Sequence, residues 1–161
     1  MFRGLFRTPD DGTLAVMRLV AGAVFFAHGA QKALGWFGGN GFNTTMGYFT
    51  QNMHIPAILA IAAILAELVG GILLILGLFT RIAAIGIAVN MVVAILLVHQ
   101  KNGLFMNWTG TQGGEGFEFH LLAIAIAITL IVRGAGALSL DRAIGGSAPG
   151  GMPPVRLPRA A

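Results

Sequence analysis

Four stretches of the chain run apolar with few polar breaks: about residues 13–34, 56–79, 81–99 and 117–132. A membrane crossing takes about 20 mostly apolar residues. The second stretch, PAILAIAAILAELVGGILLILGLFTR from Pro56 to Arg81, meets that length with Glu67 as its one charge before Arg81. Within a bilayer every backbone polar group needs an internal partner, which leaves helices and closed barrels. The alternating run Ala123–Ile128 reads strand-like in isolation. Barrel strands, however, alternate apolar with polar residues and are shorter, so helix is predicted throughout. The expected fold class is all-α: an integral membrane four-helix transmembrane bundle over residues 1–144, with a Gly/Pro-rich tail at 145–161.

Between the first two spans, Phe42, Met46, Phe49 and Met53 follow a 4-3-4 spacing. That spacing predicts a short outer amphipathic helix from about Asn43, lying on the membrane surface or roofing a cavity. The turn Gly77–Thr80 is short enough to make spans 2 and 3 antiparallel neighbours. In span 2, Ala62, Ala66 and Gly70 form a ridge of small residues, which lets helices approach closely in lipid.

Charge then sets orientation. All eight arginines (Arg3, Arg7, Arg18, Arg81, Arg133, Arg142, Arg156 and Arg159) fall toward one side, whereas only Lys32 and Lys101 border the other. Basic residues favour the cytoplasm, so both termini are expected there. Composition agrees with a membrane protein: 10% of residues are charged and the mean hydropathy is +0.81, against about a quarter charged in soluble domains. The net charge of +4 reflects basic residues flanking spans and does not indicate nucleic-acid binding. There is no cysteine, which excludes thiol, disulfide and cysteine-ligated cluster chemistry within this chain. The first apolar run is too long for a signal-peptide core and is kept as a span.

Glu67 carries the candidate chemistry. A carboxylate at mid-bilayer costs about 2.5–3.5 kcal/mol on insertion scales, so it needs partners on other spans. At 1.5 Å per residue, Arg18 lies roughly 6 Å from the inner edge of span 1 and His28 roughly 21 Å, while Glu67 lies roughly 16 Å from the outer edge of span 2. Glu67 is thus expected between His28 and Arg18, within the arginine's reach. Lys32, His99 and Glu118 are expected to cluster above them at the outer surface. Glu118 and His120 are about 160° apart on a helix and cannot face one cavity together. Asn90 reads as interhelical glue. The set suits a proton relay or a quinone headgroup site, with Glu67, His28 and Arg18 as the reactive group and Lys32, His99 and Glu118 contacting the cofactor. No metal site is expected. A polar network that merely fixes helix register is the competing reading.

The chain also resembles a known family. Arg18-x3-Gly22, His28-Gly29 with Lys32, and Glu67-x2-Gly70-Gly71 are similar to motifs of the DoxX family of small four-span bacterial membrane proteins. Gly77, Thr80-Arg81, Ala84, Met91, His99 with Gly103, Phe117-Glu118 and the closing Leu138-Ser139-Leu140-Asp141 extend the likeness over about 13–141. The resemblance implies a bacterial inner-membrane subunit associated with quinol or quinone oxidoreductases, rather than a stand-alone enzyme. It implies a quinone as the one non-covalent cofactor to consider. Partners would be the lipid bilayer and other membrane subunits or further copies of the chain. A non-catalytic scaffold, docked to a larger complex through its tail, is the alternative.

Overall fold

The computed structural model describes residues 3–146 of the 161. All of the tail expected at 145–161 beyond Gly146 lies outside the described residues. The described chain is helical: α1 (Arg3–Phe6), α2 (Gly12–Leu34), α3 (Gly41–Gly47), α4 (Ala57–Leu76), α5 (Thr80–Ala94), α6 (Glu118–Arg133) and α7 (Leu140–Gly145). Three helical stretches are long and apolar enough to cross a membrane: α2, α4, and α5 with its continuation to Asn102. At 16 residues α6 is shorter, spanning roughly 24 Å. It nevertheless packs along α5 as one wall of the bundle.

Local chemistry explains the ends. Asp11 caps α2 by accepting from the backbone N–H of Thr13 and Leu14 at 2.9 and 3.2 Å. Gly35 and Gly77 end α2 and α4 in the left-handed region, at φ 72° and 64°, where a side chain is disfavoured. Phe79 takes φ 48° before α5, an uncommon conformation for a bulky residue. Asp141 holds it there, accepting from the N–H of Phe79 at 2.8 Å and of Thr80 at 2.9 Å. After Ala94, α5 passes into a π turn over Ile95–His99.

The helices pack in the order α2–α4–α5–α6, with α6 returning to α2. The shared core includes Phe25, Leu74, Ile87, Met91 and Leu130. The α2–α4 contact is a backbone approach: a Cβ on Gly29 would overlap the Leu68 backbone, and one on Gly71 would overlap Phe26. The ridge of small residues expected on α4 meets α5, with Ala66 beside Gly86 and Gly70 beside Ile87, whereas Gly71, outside that ridge, meets α2.

Two expectations are corrected at the end of the bundle that carries the described termini. Residues 134–144, which follow the fourth apolar stretch in the sequence and are expected to extend its helix inward, do not extend α6. Gly134 and Gly136 adopt φ 87° and 77°, and the chain turns back beneath the bundle before Ser139 caps α7. Arg18 does not approach Glu67. Its guanidinium is fully buried and donates to carbonyls: Leu74 and Ile75 at 2.5 and 2.7 Å, Ala135 and Leu138 at 3.0 Å. The reason is side-chain direction. Helical side chains lean toward their own N-terminus, so Arg18 on α2 leans away from the level of Glu67. There its charge meets carbonyls of the last turn of α4, the negative end of the helix dipole.

Candidate functional site

The same lean brings Lys32 and Glu67 together. Lys32 leans down α2 into the bundle, and Glu67, on the antiparallel α4, leans up toward it. The Lys32 ammonium pairs with Glu67 Oε2, and Asn90 Nδ2 of α5 donates to Glu67 Oε1 at 3.0 Å. Three helices therefore meet on one buried carboxylate. A buried charge is tolerated when it is paired and hydrogen-bonded, as here. Lys32 is its counter-ion, the role expected of Arg18.

Above this knot lies a cavity of about 410 Å³. Phe25, Met91, Ala94, Leu97 and Phe119 supply apolar wall, and Lys32, Glu67 and Asn90 form its polar base. The roof comes from two loops. Tyr48, Phe49 and Met53 follow α3, which is the outer amphipathic segment read from the 4-3-4 spacing; Met106 and Glu115 come from the loop before α6. The α3 segment thus roofs a cavity as well as skirting the bundle.

Three histidines line the same space. His28 is exposed and its ring lies 6.2 Å from that of Phe119. His99 is anchored through Nδ1 to the Glu115 carbonyl at 2.8 Å. Its ring centroid lies 4.1 Å from that of His120, with 43° between the planes. Uniform α-helical geometry sets His99 and Asn90 on opposite faces of α5. The π turn adds a residue to the last turn, and both side chains line the cavity.

Of the six residues expected to act together, Glu67, His28, Lys32 and His99 line one cavity, and Arg18 and Glu118 do not. Glu118 braces the loop instead, with Oε1 accepting from the Met106 N–H at 3.0 Å and Trp108 Nε1 at 3.2 Å. Because Glu118 turns to the loop, His120, 160° away, takes the cavity side. Asn90 is the interhelical tie expected of it, here made to Glu67. His120 was missed as a site residue, because its spacing from Glu118 showed that only one of the two could face the cavity and not which one. Among the described residues, no group of three or more histidines and carboxylates converges to hold a metal ion.

The DoxX family model matches residues 13–100, which carry Arg18, His28, Lys32, Glu67, Asn90 and His99. A Bacillus subtilis (strain 168) protein named "Putative oxidoreductase CatD" is 32% identical over 132 residues, 82% of this chain and 86% of that protein. Two Haemophilus influenzae proteins named only as uncharacterized are 36% and 31% identical, covering 80% and 82% of this chain and 87% and 83% of their own length. No solved structure matches. On the strength of the family match and of relatives alike along most of their length, the chain is a multi-pass membrane protein that belongs to the DoxX family.

Proposed function

We propose that this protein is a membrane subunit of a respiratory or quinone-linked redox assembly, and that the cavity above Glu67 receives a quinone headgroup. The observation that carries the reading is the cavity itself: an apolar chamber of about 410 Å³ whose base is an ion pair. Small-molecule sites commonly enclose about 300–1,000 Å³ and pair apolar walls with a few placed polar groups. The name of the Bacillus relative, which describes that protein as an oxidoreductase, supports the redox setting.

The residues suit such a ligand. An ammonium has three N–H donors, and Lys32 gives one to Glu67, leaving two to meet a carbonyl oxygen. Glu67 holds that amine in place, Asn90 locks the carboxylate, and the aromatic and methionine walls exclude water. A quinone, when bound, supplies two-electron, two-proton chemistry. Glu67 and the histidines leading outward are then positioned to hold and pass protons. In this reading α6 serves as the fourth span, the α1 and α7 end faces the cytoplasm, and the host is a bacterial inner membrane, consistent with the arginines gathered at that end.

The test is quinone binding and quinone-dependent turnover with Glu67→Gln. The variant removes the charge that holds Lys32, and turnover in membranes carrying the assembled complex is expected to be lost. Unchanged turnover with normal assembly would overturn the site.

A further inference from the structure

His120 lines the cavity, and among the described residues the fold gives its ring no hydrogen bond. It is 7% exposed, and its ring Nδ1 is enclosed without any hydrogen-bond partner. Its neighbours are other rings: His99 at 4.1 Å and Phe119 at 5.6 Å between centroids. His99 is different, because the Glu115 carbonyl fixes its Nδ1. Buried polar groups are nearly always satisfied, and an orphan in a native fold calls for an explanation. A ligand in the adjoining cavity, met by a turn of the ring about its Cβ–Cγ bond, would provide one.

The cavity then has two polar poles on different helix pairs. Lys32 of α2 is tied to Glu67 of α4; His120 of α6 lies against His99 at the end of α5. Phe25, Met91 and Phe119 line the apolar wall. We infer that the His120 imidazole is a second ligand-contacting group, and that the site selects flat, apolar molecules bearing two oxygens, one for Lys32 and one for His120. This rests on the quinone reading above and narrows it to para-diones and their diols. Chemistry favours that class. An ammonium can only donate, whereas a neutral imidazole donates from one nitrogen and accepts at the other. The histidine pole therefore accommodates both a carbonyl oxygen and the hydroxyl of the reduced form.

The test uses the full chain in lipid nanodiscs, with protein-free discs as the partition blank. Binding of radiolabelled menadione is measured for the unaltered chain, His120→Phe and His120→Gln, with 2-methylnaphthalene, the same carbon frame without oxygens, as competitor. Losing one hydrogen bond to the ligand weakens binding by about tenfold. His120→Phe should show that loss for menadione and His120→Gln should recover part of it, while competition by 2-methylnaphthalene stays the same in all three. Equal menadione affinity in His120→Phe overturns the assignment and leaves the quinone site standing. So does a loss that His120→Gln fails to recover, or one shared by both probes, since either marks a structural role. Failure of the unaltered chain to bind menadione overturns the quinone reading and this assignment with it.

Discussion

Glu67 sits between an ammonium and an amide, each from a different helix, so its partners do unequal work. Lys32 supplies the balancing charge. Removing it as Lys32→Met leaves a carboxylate that is 7% exposed without its cation. Breaking a buried pair costs about 3–5 kcal/mol when it is fully enclosed; the 29% exposure of Lys32 brings the expectation down to about 2–3 kcal/mol. Thermal unfolding in detergent should show the drop, and the double variant Lys32→Met with Glu67→Met should regain most of it. A double variant less stable than Lys32→Met alone would contradict this account. Arg18 offers the second comparison. Its flat guanidinium reaches carbonyls in two segments at once, a geometry that the single ammonium of lysine cannot reproduce. Arg18→Lys should therefore lower stability by about 2 kcal/mol or more, while ligand binding at the far end of the bundle stays close to unchanged in the protein that folds. The residues of the site were visible as polar interruptions in oil. Their pairing was not, because depth along a helix ignores the lean of each side chain, which separates Arg18 from Glu67 and joins Lys32 to it.

Helix α4 is held against α2 by glycine. Gly29 and Gly71 permit α2 and α4 to meet at backbone distance, and a methyl at either position meets main chain, which cannot swing aside. Overpacking costs about 1–3 kcal/mol even where side chains can adjust, so Gly29→Ala and Gly71→Ala should each lower the melting temperature clearly. Gly47→Ala is the control: its surroundings are open and its φ is −57°, so stability should stay level or rise slightly. A different device fixes the α4–α5 turn. Asp141, 61 residues beyond Thr80, holds two N–H groups of that turn. Asp141→Ala should speed hydrogen exchange at Phe79 and Thr80 by at least tenfold, with amides in the middle of α4 little changed; equal exchange there would remove the turn-holding role. These elements differed in how plainly the chain announced them. Apolar runs and glycine stops mark α2, α4 and α5 directly. The π turn at Ile95–His99 has no comparable signature, and it is the feature that turns His99 toward the cavity.

At the scale of the whole molecule, the bundle has one closed end and one end that holds a chamber. The closed end gathers Arg18, Arg81, Asp141 and the α1–α7 contact. Arg81 donates to the Leu5 and Ile131 carbonyls at 2.7 and 3.1 Å, tying α1 and α6 to the start of α5, and Arg142 pairs with Asp10 at 2.5 Å. The chambered end carries the roof and the exposed Trp108. The chain has no cysteine of its own, so topology can be read by introducing one. In intact cells stripped of outer barriers, a membrane-impermeant maleimide should label Thr109→Cys and spare Ala143→Cys; the reverse pattern would invert the proposed orientation. The amino-acid order alone determined that this is a helical membrane protein, that a buried acid lies at the middle of its second apolar run, and that small residues let its helices close up. Those properties follow from hydropathy and steric size, which act locally. Tertiary structure decided which cation meets the acid, which of Glu118 and His120 faces inward, and that two loops roof a cavity. Each depends on the rotation and direction of helices distant in sequence, and no single segment encodes these.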